Sequence, residues 1–217
     1  MASPIFAGLV ILMLGDSHFA TQGYLATTLG DALMAQGAKV QSEAACGSQV
    51  SIWVSGGAAS CGAAERIQSG PLKVSPPNKG VVPSMATLVA KVHPNLIIVV
   101  AGDTMAGYAQ PTFSASYVEQ QILGFTREIQ RLGVPCVWIG PGWGTEGGPY
   151  FKNFARVKVM SEFLAAHVAP CRYIDSLQFS QPGEWPTFDG QHYTGVGYQK
   201  WALAIDAELT KLAQTRP

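Results

Sequence analysis

Apolar residues run almost without a break through residues 4–14 and again through residues 95–101, where Leu96, Ile97, Ile98, Val99 and Val100 are consecutive. Aliphatic runs of this length without polar alternation predict strands buried on both faces. Shorter runs predict strands over 38–42, 134–140 and 172–175. Between them the apolar positions change to helical spacing. Over 21–36, Tyr24, Leu25, Leu29, Ala32 and Leu33 fall on one face and Gly37 supplies the stop. Further helices are predicted over 84–92, 114–132 with Gly133 as its end, 154–167 and 195–213. Residues 43–83, rich in Gly, Ser, Ala and Pro, read as mostly irregular with a short helix over 59–68. Strands that alternate with helices predict a parallel sheet covered by helices on both faces. No repeat or linker divides the chain, so a single domain over residues 1–217 is expected.

In such a sheet the functional site lies beyond the carboxyl ends of the strands. The first strand is followed by Gly15-Asp16-Ser17-His18, the second by Ala45-Cys46-Gly47-Ser48 and the third by Gly102-Asp103-Thr104. The fourth is followed by Gly140-Pro141-Gly142-Trp143-Gly144, and the last loop carries Asp189-Gly190-Gln191-His192. A serine hydroxyl is a poor nucleophile at neutral pH and needs an oriented base. Ser17 is the candidate nucleophile, His192 the candidate base and Asp189 its support. A spacing of three lets the carboxylate reach one imidazole nitrogen while the other faces Ser17. An oxyanion then needs donors: the Ser17 N–H, the Gly47 N–H, where glycine admits close approach, and a side chain after the third strand.

The bulk numbers narrow the partners. The 217 residues carry 14 Lys plus Arg against 14 Asp plus Glu, with no basic run, so nucleic acid is not an expected ligand. Charged residues make up 13%, about half the ~25% of an average domain, and 47% are hydrophobic, which describes a folded chain with a weakly charged surface. The apolar run ending at Leu14 is shorter than the ~20 residues a membrane span needs, and it reads as a strand rather than a signal peptide. The opening Met1-Ala2-Ser3-Pro4 leaves open whether a natural leader once preceded it.

Cys46, Cys61, Cys136 and Cys171 permit two disulfides in three connectivities. Cys136 and Cys171 both open predicted strands, and Cys46 and Cys61 bracket one loop. The favoured pairing is therefore 46 with 61 and 136 with 171, with an oxidising compartment. Four buried free thiols are the alternative. No cysteine or histidine spacing fits a metal site, and no cofactor is expected. The glycines of 140–148 lack the Lys-Ser/Thr of a phosphate loop. His18, His93 and His167 read as surface or packing residues, although His18 adjoins Ser17. Trp143, Trp185 and Phe188, together with Tyr150, sit in or beside the loops near the site, where aromatics could stack on a sugar or hold an acyl chain, or equally cover the core. Trp201 reads as core.

Gly15-Asp16-Ser17, Gly47, the turn at Gly102 and Asp189-x-x-His192 resemble, in order, the blocks of the SGNH (GDSL) hydrolases. The resemblance spans residues 15–192. It implies a flavodoxin-like three-layer α/β/α sandwich of about five parallel strands, and ester hydrolysis through an acyl-enzyme without metal. It places Ser17, Gly47 and a third residue in the oxyanion hole. That third block normally reads Gly-x-Asn, and here Thr104 stands at the Asn position. Its hydroxyl is shorter, so a weakened or water-assisted hole is expected. The opening Gly-Asp-Ser-His resembles members that handle acetyl groups on polysaccharides.

The expected function is removal or transfer of acetyl or other short acyl groups on a carbohydrate, by a periplasmic or secreted protein whose leader is absent from this chain. The cytoplasm remains the alternative compartment. A lipolytic esterase or thioesterase is one competing reading. A catalytically impaired glycan-binding or scaffold domain is the other. Oligomeric state is left open.

Overall fold

The computed structural model describes residues 5–77 and 79–214. Its strands are β1 Val10–Gly15, β2 Lys39–Ala45, β3 Gly57–Ala58, β4 Ala63–Ile67, β5 Lys73–Ser75, β6 Val81–Val82, β7 Leu96–Val100, β8 Cys136–Ile139 and β9 Arg172–Ile174. Its helices are α1 Leu25–Ala35, α2 Ile52–Ser55, α3 Met85–Val92, α4 Ala115–Leu132, α5 Phe154–His167 and α6 Gly195–Gln214. Seven strands form one sheet in the order β5-β4-β2-β1-β7-β8-β9. The five from β2 to β9 are parallel, and β4 and β5 extend the β2 edge in antiparallel fashion. β3 and β6 form a separate small pair. This is the three-layer α/β/α sandwich expected from the alternation, with two strands added.

The two-sided burial of the central strands sets the layers. Leu12 and Leu14 of β1 and Ile97 and Val99 of β7 face a core closed by α3, α4 and α5. Ile11, Met13, Ile98 and Val100, the alternate positions, face a core closed by α1 and α6. Strand side chains alternate between faces, so an uninterrupted aliphatic run fills both cores. Helix ends follow local chemistry. The Ser84 side chain accepts from the Thr87 N–H before α3, Asn153 accepts from the Arg156 N–H before α5, and Gly133 takes a left-handed φ of 68° after α4.

Three expectations need correction. The helix expected over 59–68 is strand β4, because Ala63 and Ala64 are buried in antiparallel register with Ala45 and Ala44 of β2. Arg66 of β4 reaches Asp31 at 2.7 Å. Tertiary pairing overrides the helical preference of an Ala-Glu-Arg stretch. Residues 43–83, expected to be mostly irregular, contain α2 and four short strands. The strand expected over 4–14 begins at Val10. Before it, Gly8 turns the chain at φ 80° and buried Phe6 donates its N–H to the Gln36 carbonyl at 3.1 Å. Met1–Pro4, and any leader question attached to them, lie outside the described residues.

Disulfides join Cys46 to Cys61 and Cys136 to Cys171, the pairing favoured from the strand positions. The first ties the end of β2 to the approach to β4, and the second ties β8 to the residue before β9. Among the described residues no helix is long and apolar enough to cross a membrane. None of their His, Cys, Asp and Glu side chains gather into a group able to hold a metal ion.

Candidate active site

The carboxyl ends of β1, β2 and β7 and the loop before α6 converge on one cleft of about 440 Å³. Its lining includes Ser17, Gly47, Thr104, Tyr108, Tyr150 and His192. Gly15 ends β1 where a side chain could not fit, since a Cβ there would stand 2.2 Å from the Phe19 ring. The chain then turns sharply. Asp16 Oδ1 accepts from the His18 N–H at 3.0 Å, and Ser17–Phe19 form one 3₁₀ turn. Ser17 is thereby the first residue of the turn, where its own N–H has no partner within the turn.

The opposite wall is the loop before α6. Asp189 Oδ1 accepts from the backbone N–H groups of Gln191 at 3.0 Å and His192 at 2.8 Å. The Phe188 N–H donates to the His192 carbonyl at 2.9 Å. Held in this way, His192 Nδ1 lies 2.7 Å from Asp189 Oδ2, and Nε2 lies 2.7 Å from Ser17 Oγ. Burial lowers the His192 pKa from its usual 6.5, the nearby His18 lowers it further, and Asp189 opposes both. Burial would raise the Asp189 pKa, but hydrogen bonds from His192 outweigh it and hold the carboxyl below its ordinary value. A hydroxyl, an imidazole biased toward neutrality and an ionised carboxylate in one line can move a proton from Ser17 to His192.

Gly47 follows β2 at φ 70°, a left-handed conformation that favours glycine, and its N–H makes no hydrogen bond among the described residues. The Cys46–Cys61 disulfide packs beneath it. Thr104 lines the cleft, but its Oγ1 is buried and lacks a hydrogen-bond partner.

Asp103 also lines the cleft, but its carboxylate is committed to a buried network. Its carboxylate is buried and accepts from Lys152 Nζ at 2.9 and 3.1 Å, and from the Tyr108 hydroxyl. It also lies 2.8 Å from His18 Nε2, while His18 Nδ1 lies 2.8 Å from the Tyr198 hydroxyl. Burial alone would raise the Asp103 pKa, but the Lys152 ammonium and the other partners hold it well below the usual carboxylate range. His18 is thus neither a surface residue nor simple packing. It is 2% exposed, belongs to this network, and its ring centroid lies 5.2 Å from that of His192. Sequence reasoning missed Lys152 and Tyr108. No spacing distinguishes a lysine that enters the core from one in solvent.

Of the four aromatics expected near the site, Trp143, Trp185 and Phe188 lie outside the cleft lining. Trp185 is buried in the core with its ring edge-on to Tyr193 at 5.6 Å. Trp143 turns toward α5, donates its indole N–H to the Leu177 carbonyl at 3.0 Å and meets Phe154 edge-on. Phe188 is 70% exposed. Tyr150, the fourth aromatic expected near the site, does line the cleft, together with Tyr108 and Phe151. His93 caps the end of α3 and His167 stacks on Phe163, as packing residues do. Trp201 is fully buried, as expected.

No protein-family model matches the chain. It is 36% identical over 218 residues to Protein BcsX of Komagataeibacter xylinus, an alignment covering 98% of this chain and 82% of that protein. Among solved structures it superposes on a DUF4886 family protein from Bacteroides uniformis with a TM-score of 0.68 and 14% identity, over 96% of this chain and 86% of the other. A peptidoglycan O-acetylesterase gives a TM-score of 0.60 at 12% identity, over 97% and 93%. A catalytic mutant of an acetylxylan esterase from Geobacillus stearothermophilus gives 0.58 at 13%, over 95% and 96%. At these identities the superpositions speak to the fold.

Proposed function

The chain belongs to the family of Protein BcsX and has the SGNH hydrolase fold, and from that premise we propose that it is a serine esterase acting through an acyl-enzyme on short acyl groups, above all acetyl groups on a carbohydrate. The observation that carries the reading is the line Ser17 Oγ, His192, Asp189, with 2.7 Å at each hydrogen bond, opening on a cleft. As Ser17 Oγ attacks the ester carbonyl, His192 Nε2 takes its proton and Asp189 stabilises the imidazolium. The backbone N–H groups of Ser17 and Gly47 receive the oxyanion. The tetrahedral intermediate collapses as His192 protonates the departing alcohol. Water, deprotonated by the same imidazole, then releases the acid and restores Ser17. Thr104 can join the oxyanion donors only by rotating its hydroxyl out of its buried position, so two backbone donors carry most of that stabilisation.

The acetyl preference draws on the fold shared with the two acetylesterases and on a cleft walled by side-chain amides as well as aromatics. Two disulfides support an oxidising, periplasmic or extracellular setting. Nitrophenyl acetate is expected to turn over faster than nitrophenyl octanoate. Octanoate faster than acetate would favour a lipolytic enzyme, and turnover of neither would favour a non-catalytic glycan-binding domain.

The pH profile follows from the state of the base. Only neutral His192 accepts the Ser17 proton, so activity falls as pH drops through its pKa. Burial and His18 move that pKa below 6.5. The acid limb of kcat/KM is therefore expected to have its midpoint below 6.5. A midpoint above that value would mean that Asp189 outweighs burial.

A further inference from the structure

The segment Gly147-Gly148-Pro149-Tyr150-Phe151-Lys152 forms a tight turn at the cleft mouth. Gly147 and Lys152 exchange backbone hydrogen bonds at 2.7 and 3.1 Å. The turn is pressed against the base-carrying loop, because a Cβ on Gly148 would stand 2.1 Å from the Asp189 carbonyl oxygen. Its end is fixed by Lys152, whose ammonium is buried on Asp103. Between these anchors the sequence places two aromatics in an unusual state. Phe151 lines the cleft yet is 62% exposed, and its backbone has φ 56°, a region that bulky L residues avoid. Tyr150 is 46% exposed and stands edge-on to the His192 ring at 5.6 Å and 80°. Rather than entering a core, both rings are held out on the cleft lining, Tyr150 beside the candidate base.

On the base-carrying loop against which this turn packs lies Gln191. It is 6% exposed and lines the cleft, and its amide atoms are not among the buried, unpartnered polar atoms of the described residues. Gln110 is on the same lining. Both carboxamides line the cleft and are free to pair with a polar ligand there. An acyl chain offers such amides no hydrogen-bond partner. A pyranose ring fits both demands. Its C–H face packs on the electron-rich face of an aromatic ring, and its hydroxyls pair with carboxamides, which donate and accept.

We propose that Phe151, Tyr150, Gln191 and Gln110 form a subsite for a sugar ring adjoining the acylated one, so that the substrate is a glycan chain rather than an acetylated monosaccharide. The subsite rests on the esterase reading for its role in turnover, but not for binding itself. The test is calorimetric titration of xylohexaose, cellohexaose and chitohexaose into the full chain and into Phe151→Ala, Phe151→Asn, Gln191→Ala and Phe188→Ala. Asparagine tolerates the left-handed backbone, so Phe151→Asn removes the ring while keeping the turn. At least one oligosaccharide should bind the unaltered chain. Both Phe151 variants and Gln191→Ala should weaken that binding by about tenfold, the order expected when one engaged apolar face or one buried polar pairing is lost. Phe188→Ala, which changes an equally exposed ring outside the lining, should bind as the unaltered chain does. With an acetylated form of the bound oligosaccharide as substrate, the same losses should enter KM while kcat stays close to its original value. No binding of any of the three, or equal affinity in Phe151→Asn and the unaltered chain, would overturn the subsite. Binding that persists without turnover of any ester would overturn the esterase reading and leave the subsite standing.

Discussion

Ser17→Ala is expected to lower kcat/KM for nitrophenyl acetate by on the order of 10⁶-fold, the scale seen when a serine nucleophile acting with its base is removed. The melting temperature should move by no more than about 4 °C, since one hydrogen bond is worth roughly 1 kcal/mol. The contrast between the two readouts is the point. Ser17 is nearly buried, and its hydroxyl has His192 Nε2 as its side-chain partner at 2.7 Å. Were it only a polar cap after β1, its removal would appear in stability and not in rate. A fluorophosphonate should label the unaltered chain at Ser17 and fail to label Ser17→Ala. Labelling at another serine, or turnover by Ser17→Ala within tenfold of the original, would remove Ser17 from the chemistry. Residual activity is expected from the backbone donors of Ser17 and Gly47, which the substitution leaves in place.

The sheet was legible in the sequence because its central strands are buried on both faces. Runs such as Leu96 to Val100 have no other economical reading. That Ser17 and His192 would meet was legible too. One follows the first strand and the other precedes the last helix, so topology brings residues 175 positions apart to one edge. What stayed hidden was decided by contacts rather than by local pattern. Ala63–Ile67 has helical composition, and pairing with β2 beside the Cys46–Cys61 link makes it a strand. Trp143 and Trp185 stand near the site in sequence, yet each points into a packed layer, and sequence distance says nothing about which side of a loop an indole takes. Thr104 and Asp103 follow one glycine as a pair. Both line the cleft, and contacts alone separate them: a lysine 49 positions away takes the Asp103 carboxylate, while the Thr104 hydroxyl has no partner among the described residues.

Lys152→Met is expected to destabilise the fold by about 3–5 kcal/mol, the cost of stranding one member of a buried ion pair, which lowers the melting temperature by roughly 10 °C in a chain of this size. Lys152 and the Asp103 side chain are each 1% exposed, so neither can recover its lost partner from solvent. Methionine fills the aliphatic volume and leaves the carboxylate with Tyr108 and His18. The sign of the pH effect follows. In the unaltered protein the Asp103 pKa is depressed, so the pair's contribution is present above the unfolded value near 3.8 and is lost only as pH falls through the lower folded value. Without Lys152 the burial that raises the Asp103 pKa is less opposed, and protonation relieves the stranded charge. The stability gap between the variant and the unaltered protein should therefore narrow as pH is lowered from 7 toward 4. Lys152→Met combined with Asp103→Asn removes both charges and should recover part of the loss, because a neutral pair avoids the desolvation cost that the single change exposes. Urea unfolding of the four proteins closes the cycle. Additive effects, or a single variant as stable as the original, would mean that the Tyr150–Phe151 turn is anchored by its backbone bonds alone. A positive coupling would make the Asp103–Lys152 pair the fastening that ties the aromatic wall of the cleft to the end of β7.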